Sequence, residues 1–555
     1  MALELLLAHA DGCRPVLQRG LAEGTLRSAP RPEPLEPPEI LWDASGDPHL
    51  LPRQRWGLIA PQGPEGDRLL ALVELLKRRR EEEQGAPARV YRVPRGLDGP
   101  AAARWKKRVF RSKDVPDSER PRYLLLLGDL DQVPLELQQV LSSDAFVGRL
   151  AFPTAEGYEA YVTKVLRWED TPSREPRARL LFFSSRDGTS ATELGHRGLI
   201  QPSLAACRER QQVGGFPKAE LTELAGEGST PAAQLLAQAA EPRPSVLFSL
   251  SHGLGPPREG WDSPARQREL QGALVLPGGQ SLTGAELASR PFLPGGIWFC
   301  FACYSAGTPA QSTYAHWLSQ LPPGVDLDAT RVLASVLRRE VERPFIAALP
   351  QAVLANPEGP LAVMGHVDLA WAWSYLDQGR DTSSHFFGLL HALAEGRRAG
   401  VALSTLLRFL IETSIELTTL YDQEAKALRA GSPSPVDPVA RAYLWMLRQD
   451  LAGYILLGDP AVRLPLASAR VEASVPHSHL DAMASVGLAG FELPAPPAPE
   501  PTAAEQAVIE LLAGKGTLAD IAARHGIAPG ELCQWEELYR AAGRAALARH
   551  LSQRE

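Results

Sequence analysis

Short, wholly apolar stretches, each followed by a longer helical pattern, most narrowly limit how this 555-residue chain can fold. "RWGLIA" (Arg55–Ala60) precedes "GDRLLALVELLKRRREEE", where Leu69, Leu70, Leu72, Val73 and Leu76 mark an amphipathic helix. "ARVYRV", "RYLLLLGD", "FVGRLAF" and "ARLLFFSS" continue the series, with a helix over Tyr158–Trp168 before the last of them. "PSVLFSLSHG", "GGIWFCFACYS" and "GPLAVMGHVD" follow. Strands that are apolar throughout belong in parallel sheets covered on both faces. The pattern runs from about residue 55 to 465, too much for one sheet of usual size. The chain is therefore predicted to form two α/β subdomains, 55–170 and 171–467, changing over near Trp168–Arg177.

The flanks differ in composition. Residues 1–54 read as an N-terminal extension with a Pro-rich segment at 28–52. Its opening, "MALELLLAHADGCRPVLQRG", has an apolar run without a preceding basic region and is expected not to be a secretory signal. Residues 468–502 end in "ELPAPPAPEPT", a stiff polyproline-like linker, and 503–555 carry a compact helical pattern. A net charge of −7 argues against a general nucleic-acid or anionic-membrane binder. The five cysteines are scattered and odd in number, which is no disulfide framework, and no run reaches membrane-span length. A reducing cytoplasm is the expected location.

Two strand ends carry chemistry. "SVLFSLSHG" delivers His252-Gly253, and "GGIWFCFACYSAG" delivers Cys303. Side chains at the carboxyl ends of strands in open α/β sheets meet where ligands bind. The intervening residues suffice for a loop, a helix and a return strand, so a crossover makes the two strands neighbours. A cysteine attacks a carbonyl as thiolate, and a nearby histidine takes its proton and returns one to the leaving amine. The N–H groups of Gly253 and Cys303 are candidates for an oxyanion hole. Cys300 lies mid-strand between Phe299 and Phe301 and is expected to pack. "CYSAG" does not match a serine nucleophile elbow, which sets Ser305 aside. His366 and Asp368 end another apolar strand and read as a structural pair at the same crevice. No phosphate-binding glycine pattern appears, "HSH" at His477–His479 has no partner cluster, and neither cofactor nor metal is expected.

His-Gly after one apolar strand and Ala-Cys after the next resembles the caspase-like cysteine peptidases (clan CD). "YLLLLGDLDQVP", "FVGRLAFPTAEGYEAYVTKVLRWED" and "ILLGDPAVRLPL" are similar to successive segments of the gingipain family. The resemblance covers about residues 55–465 and implies a caspase-like parallel-sheet sandwich in two subdomains, only the second catalytic. It implies Cys303 as nucleophile and His252 as general base and acid. A basic-residue preference in that family depends on an acid lining the pocket, for which Asp144 is the candidate, with a turn-forming role as the alternative. Glu136 and Asp131 are candidates for orienting the histidine. Trp261, in the Arg-rich connection 254–281, is a candidate for shaping substrate access; that connection otherwise reads as an exposed loop. Gingipains are secreted with pro-domains, whereas this chain has a helical C-terminal part.

That part, "AAEQAVIELLAGKGTLADIAARHGIAPGELCQWEELYRAAG", predicts helices over Ala504–Leu512, Leu518–His525 and Pro529–Ala541 and resembles transposase-like helix-turn-helix domains. Over Ala503–Glu555 the acidic residues outnumber the basic ones, for a net charge of −1. DNA binding needs the opposite surplus, so an adaptor for another protein is favoured, with Leu532 and Trp535 as core or interface and Cys533 a bystander. The reading is a cysteine endopeptidase acting on protein substrates, restrained by a partner or by proteolytic activation. The alternative is a non-hydrolytic caspase-fold scaffold or a DNA-tethered regulator.

Overall fold

Along the strand Tyr123–Leu127, the side chains of Tyr123, Leu125 and Leu127 bury in one apolar cluster and those of Leu124 and Leu126 in a second. Successive residues of a strand point to opposite faces, so this strand is covered on both sides, as its unbroken apolar sequence requires. The computed structural model describes residues 3–467 except 18, 23, 26–46, 172–174, 225–230, 321–342 and 378–379, and beyond them only 507, 510, 518–528 and 532.

The architecture is α/β, built on a ten-stranded, largely parallel sheet. One half runs Arg89–Val93, Trp56–Pro61, Tyr123–Leu127 and Phe146–Leu150. The other runs Ala362–His366, Ile297–Phe301, Ser245–Leu250, Arg179–Ser184 and Glu220–Leu224. The strand Tyr454–Leu457 joins them, parallel to Phe146–Leu150 and antiparallel to Ala362–His366. The last strand among the described residues thus sits at the centre, and both halves share one sheet.

Buried charge fastens this junction. Asp459, just beyond the joining strand, accepts from Trp56 Nε1 at 2.9 Å and pairs with Arg80 Nε at 2.8 Å. Arg80 also meets Glu169 at 2.6 Å and Glu83 at 2.9 Å. The helices Glu74–Gln84 and Ala155–Asp170 are thereby tied to the turn that follows the central strand. Lys164, wholly buried, donates to the carbonyls of Val353, Leu354 and Asn356 at 3.2, 2.6 and 2.9 Å, and so caps the C-terminal end of the helix Ala348–Ala355.

Four expectations change, the first being that strands read as too many for one sheet form a single ten-stranded one, closed by the central strand Tyr454–Leu457. The single helix expected after Ala60 is two, Pro64–Leu72 and Glu74–Gln84, separated at Val73, whose N–H reaches back only three residues to Leu70. The connection 254–281 is no exposed loop. It holds the helix Pro264–Leu270, the strand Leu274–Leu276 and part of the strand Gln280–Leu282, and the two strands join His252–Gly255 in a second, five-stranded sheet. The other two strands of that sheet, Leu7–His9 and Arg14–Pro15, come from the supposed N-terminal extension.

By its internal contacts the chain divides into residues 1–479 and 480–555. In the second unit the helix Leu518–His525 is described, with Ala507, Ile521, Ala522 and Leu532 buried together and Arg524 paired with Glu510 at 2.7 Å. The linker 468–502, Cys533, Trp535, His477–His479 and most of the other two predicted helices lie outside the described residues. No helix among the described residues is long and apolar enough to cross a membrane.

Removing the Asp459 carboxylate leaves the Trp56 indole N–H and one face of Arg80 unsatisfied in a dry junction. Asp459→Ala should cost about 3 kcal/mol and lower the calorimetric unfolding temperature by several degrees.

Candidate active site

The histidine and cysteine strands pair in parallel and in register, Val246 with Ile297 through to Leu250 with Phe301. Ser251 N–H continues the ladder to Phe301 O at 3.0 Å. Continuing that register two residues beyond the strands sets His252 beside Cys303. The backbones then touch. A Cβ at Gly253 would lie 1.8 Å from the carbonyl oxygen of Cys303, so only glycine fits after the histidine.

His252 is 0% exposed, and its Nε2 lies 3.0 Å from Thr189 Oγ1 and 3.4 Å from Asp187 Oδ2. Thr189 Oγ1 donates to Asp187 Oδ1 at 2.7 Å, and Thr192 Oγ1 donates to the same oxygen at 2.6 Å. With its proton directed at the carboxylate, the Thr189 hydroxyl accepts from Nε2–H. This network assigns the Nε2–H tautomer and leaves Nδ1 with a lone pair. Nδ1 is buried and has no hydrogen-bond partner among the described residues. Burial pushes the His252 pKa down to about 4 against the opposing pull of Asp187.

Cys303, also 0% exposed, receives the Ala370 N–H at its Sγ at 3.2 Å, and its thiol lies 3.6 Å from Ala370 O. Burial pushes the thiol pKa well above its usual value. The turn after it is strained. Tyr304 has φ 57° and Asp368 φ 109°, both in the region that side chains rarely adopt. Tyr304 N–H donates to Asp368 O at 2.8 Å, and Asp368 Oδ2 accepts from Thr313 N–H at 2.8 Å. Asp450, buried on the helix Pro438–Ala452, accepts from Trp371 N–H and Ser374 N–H at 2.9 and 3.0 Å and so holds the stretch that carries Ala370. Strain overdetermined in this way clusters at functional sites. The N–H groups of Gly253 and Cys303 converge on one acceptor, the carbonyl oxygen of Leu6, at 2.8 and 3.4 Å.

The remaining sequence candidates sort themselves by contact. Cys300 packs in the sheet beside Ser249 and Gly365, with its thiol pushed up to about 12 by burial. Ser305 Oγ donates to Cys300 O and accepts from His366 N–H, and His366 Nε2 lies 2.9 Å from Asp450 O; both are structural. Asp144 does not stand free to line a pocket. Arg111 binds it at 2.6 and 2.8 Å and Lys106 at 2.9 Å, and although burial works against it the two cations hold its carboxyl below the usual range. Trp261 Nε1 donates to Gln271 Oε1 at 2.9 Å, and Gln271 Nε2 donates to Thr308 Oγ1 at 2.8 Å, which leads to the segment after Cys303. Glu136 is exposed in the first turn of the helix Leu135–Leu141, and Asp131 is half-buried in the turn before it. The carboxylate that stands against His252 is Asp187. The strand-end rule that finds His252 also finds this residue, because "SRDGTS" follows the strand Arg179–Ser184 and that strand adjoins the histidine strand.

Because the His252 pKa falls from about 6.5 unfolded to about 4 folded, the unfolded state binds more protons between those values. The neutral imidazole therefore contributes stability above pH 6.5 that is lost as pH falls toward 4. Calorimetric midpoints should decline over that window, and His252→Gln should flatten the decline. In histidine-labelled protein, Asp187→Asn should lower the NMR titration midpoint of His252 further.

Solved structures similar to this chain include the Arg-specific cysteine proteinase gingipain R, 12% identical over 75% of this chain and 80% of that one, with a TM-score of 0.42. The complex of pro- and mature domains of RgpB from Porphyromonas gingivalis is 13% identical over 75% and 81%, with a TM-score of 0.41. A further structure, of a protease, is 10% identical over 74% and 78%, also at 0.41. No protein-family model matches the chain, and no curated protein matches it.

Proposed function

We propose that the chain is a cysteine endopeptidase in which Cys303 is the nucleophile and His252 the general base and acid. One observation carries this reading: two backbone N–H groups converge on a single carbonyl oxygen beside a thiol and a buried imidazole with a free ring nitrogen. As Cys303 Sγ bonds to the scissile carbon, its proton passes to His252 Nδ1, and the carbonyl oxygen takes the negative charge between Gly253 N–H and Cys303 N–H. Collapse breaks the C–N bond while His252 returns the proton to the departing amine. Water then attacks the thioester with His252 as base, releasing the acid and restoring the thiol. Thr189 and Asp187 hold the ring and stabilise the imidazolium that forms in each half.

A non-hydrolytic scaffold is the second reading, favoured by the complete burial of Cys303. Residues 503–555, with their surplus of acid, are assigned as a protein-binding adaptor.

The test uses the full-length chain with its cleft opened as described below and compares it with three further variants in that background, on a peptide library in reducing buffer. Cys303→Ala should abolish cleavage, a loss of about 10³-fold or more. Asp187→Asn should lower the rate by about 10²- to 10⁴-fold, because an amide at Nε2 favours the wrong tautomer. Cys300→Ala should stay within a few-fold of the opened chain. A cut that persists in Cys303→Ala overturns the assignment. So does the absence of any cleavage by a chain whose cleft has been opened as described below.

A further inference from the structure

The acceptor shared by Gly253 and Cys303 belongs to the chain itself. We propose that Leu3–His9 occupies the peptide-binding cleft in the manner of a substrate, with Leu6 supplying the carbonyl in the attacked position. On this reading the enzyme takes extended peptides with an aliphatic residue at that position and is held shut by its own N-terminal strand. The inference rests on the assignment of Cys303 and His252 above.

The main chain of this segment is bound on both sides of the Leu6–Leu7 bond. Before it, Leu5 bridges antiparallel to Trp371, and Leu6 N–H reaches Ala370 O at 3.5 Å. Ala370 is the residue whose N–H lies 3.2 Å from Cys303 Sγ, so one wall of the cleft touches both peptide and thiol. After the bond, Leu7–His9 pairs parallel with Gly253–Gly255. An extended peptide added to a sheet edge gains affinity from its main chain and specificity from alternate side chains. The 2.8 Å bond from Gly253 and the longer 3.4 Å bond from Cys303 fit a ground-state carbonyl in a hole shaped for an oxyanion.

The side chains state the preference. Leu5, Leu6 and Leu7 all bury in the main apolar cluster, and Leu7 lies directly on Gly255, where an added Cβ would fall 2.5 Å from its Cδ1. Asp144, the acid that a basic residue would need, is already neutralised by Arg111 and Lys106. Glu4, two residues before Leu6, accepts from Ser190 Oγ at 2.8 Å, next to the Thr189 that anchors His252. The antiparallel return through Arg14–Pro15 and Leu21 backs the strand and keeps it docked. With the strand in place, burial keeps imidazole and thiol neutral at pH 7.

The test is Leu5→Asp/Leu7→Asp in the full chain, which sets two carboxylates in dry positions and should expel the strand. With circular dichroism unchanged, iodoacetamide should label Cys303 at least about 100-fold faster than in wild type, while Cys300 stays protected. Acetyl-Glu-Leu-Leu-aminomethylcoumarin should be hydrolysed at least about 100-fold faster than its Glu-Leu-Arg counterpart. Adding Cys303→Ala should abolish this, and a synthetic peptide of residues 3–9 should inhibit it competitively. A folded variant whose Cys303 stays protected shows residues 3–9 to be an ordinary structural strand and overturns the proposal. Preference for the Arg substrate overturns the substrate class and leaves the protease standing. A reactive Cys303 with no hydrolysis of any peptide overturns the protease reading while the strand's placement survives. If the double variant does not fold, Leu7→Ala carries the same test, with an expected labelling gain of about 10-fold.

Discussion

The in-register pairing of Ser245–Leu250 with Ile297–Phe301 is the constraint on which the site depends. A slip of one residue would turn every side chain of one strand to the other face. The apolar filling on both faces forbids that slip. Fixed register at the sheet becomes fixed register two residues past its edge, where His252 leaves the main sheet for the smaller one and Cys303 enters a strained turn. The glycine between them is compelled by backbone contact, and that contact sets the two amides side by side. Asp368, Asp450 and Thr313 then hold a conformation that the turn would not adopt alone.

Buried polar groups are used in two opposite ways. At the junction of the sheet halves, Arg80, Asp459, Glu169 and Glu83 are charged and compensated, and they act as a rivet. At the site, the ionisable pair is buried without charge. His252 has one nitrogen anchored and one without a partner among the described residues, and the Cys303 thiol meets backbone groups, among them the N–H and carbonyl of Ala370. A group that can change protonation without tearing a network is suited to proton transfer, whereas the Arg80 cluster is suited to staying still.

The sequence made the strands legible because each is a continuous apolar run, and it made His252 and Cys303 legible because chemistry-bearing residues sit where those runs end. Asp187 falls under the same rule, but Ser185 and Arg186 separate it from the end of its strand, so it does not stand at the strand end as His252 and Cys303 do. Asp144 could not be judged from sequence, since Arg111 and Lys106 reach it only through the packing of their helix against its turn. The five-stranded sheet was illegible for a related reason. Leu7–His9 and His252–Gly255 pair across almost 250 residues, and nothing local in "LELLLAH" says what it will lie against. Gly-Asp at 128–129 and 458–459 proved to be anchors: Asp129 accepts from Ile346 N–H at 2.7 Å, and Asp459 closes the rivet.

The placement of Tyr454–Leu457 in the middle of the sheet has a consequence for synthesis. Translation delivers Leu3–His9 before the strands that carry His252 and Cys303, and only from residue 450 onward the Asp450 carboxylate that holds the stretch with Ala370 and the strand that unites the halves. A chain broken off earlier has Cys303 and His252 but neither the wall beside them nor the sheet centre. A chain that has reached Leu457 already carries Leu3–His9 as a tethered segment, at an effective concentration no free peptide would match. Chain order thus puts Leu3–His9 within reach of His252 and Cys303 as soon as the central strand closes the sheet.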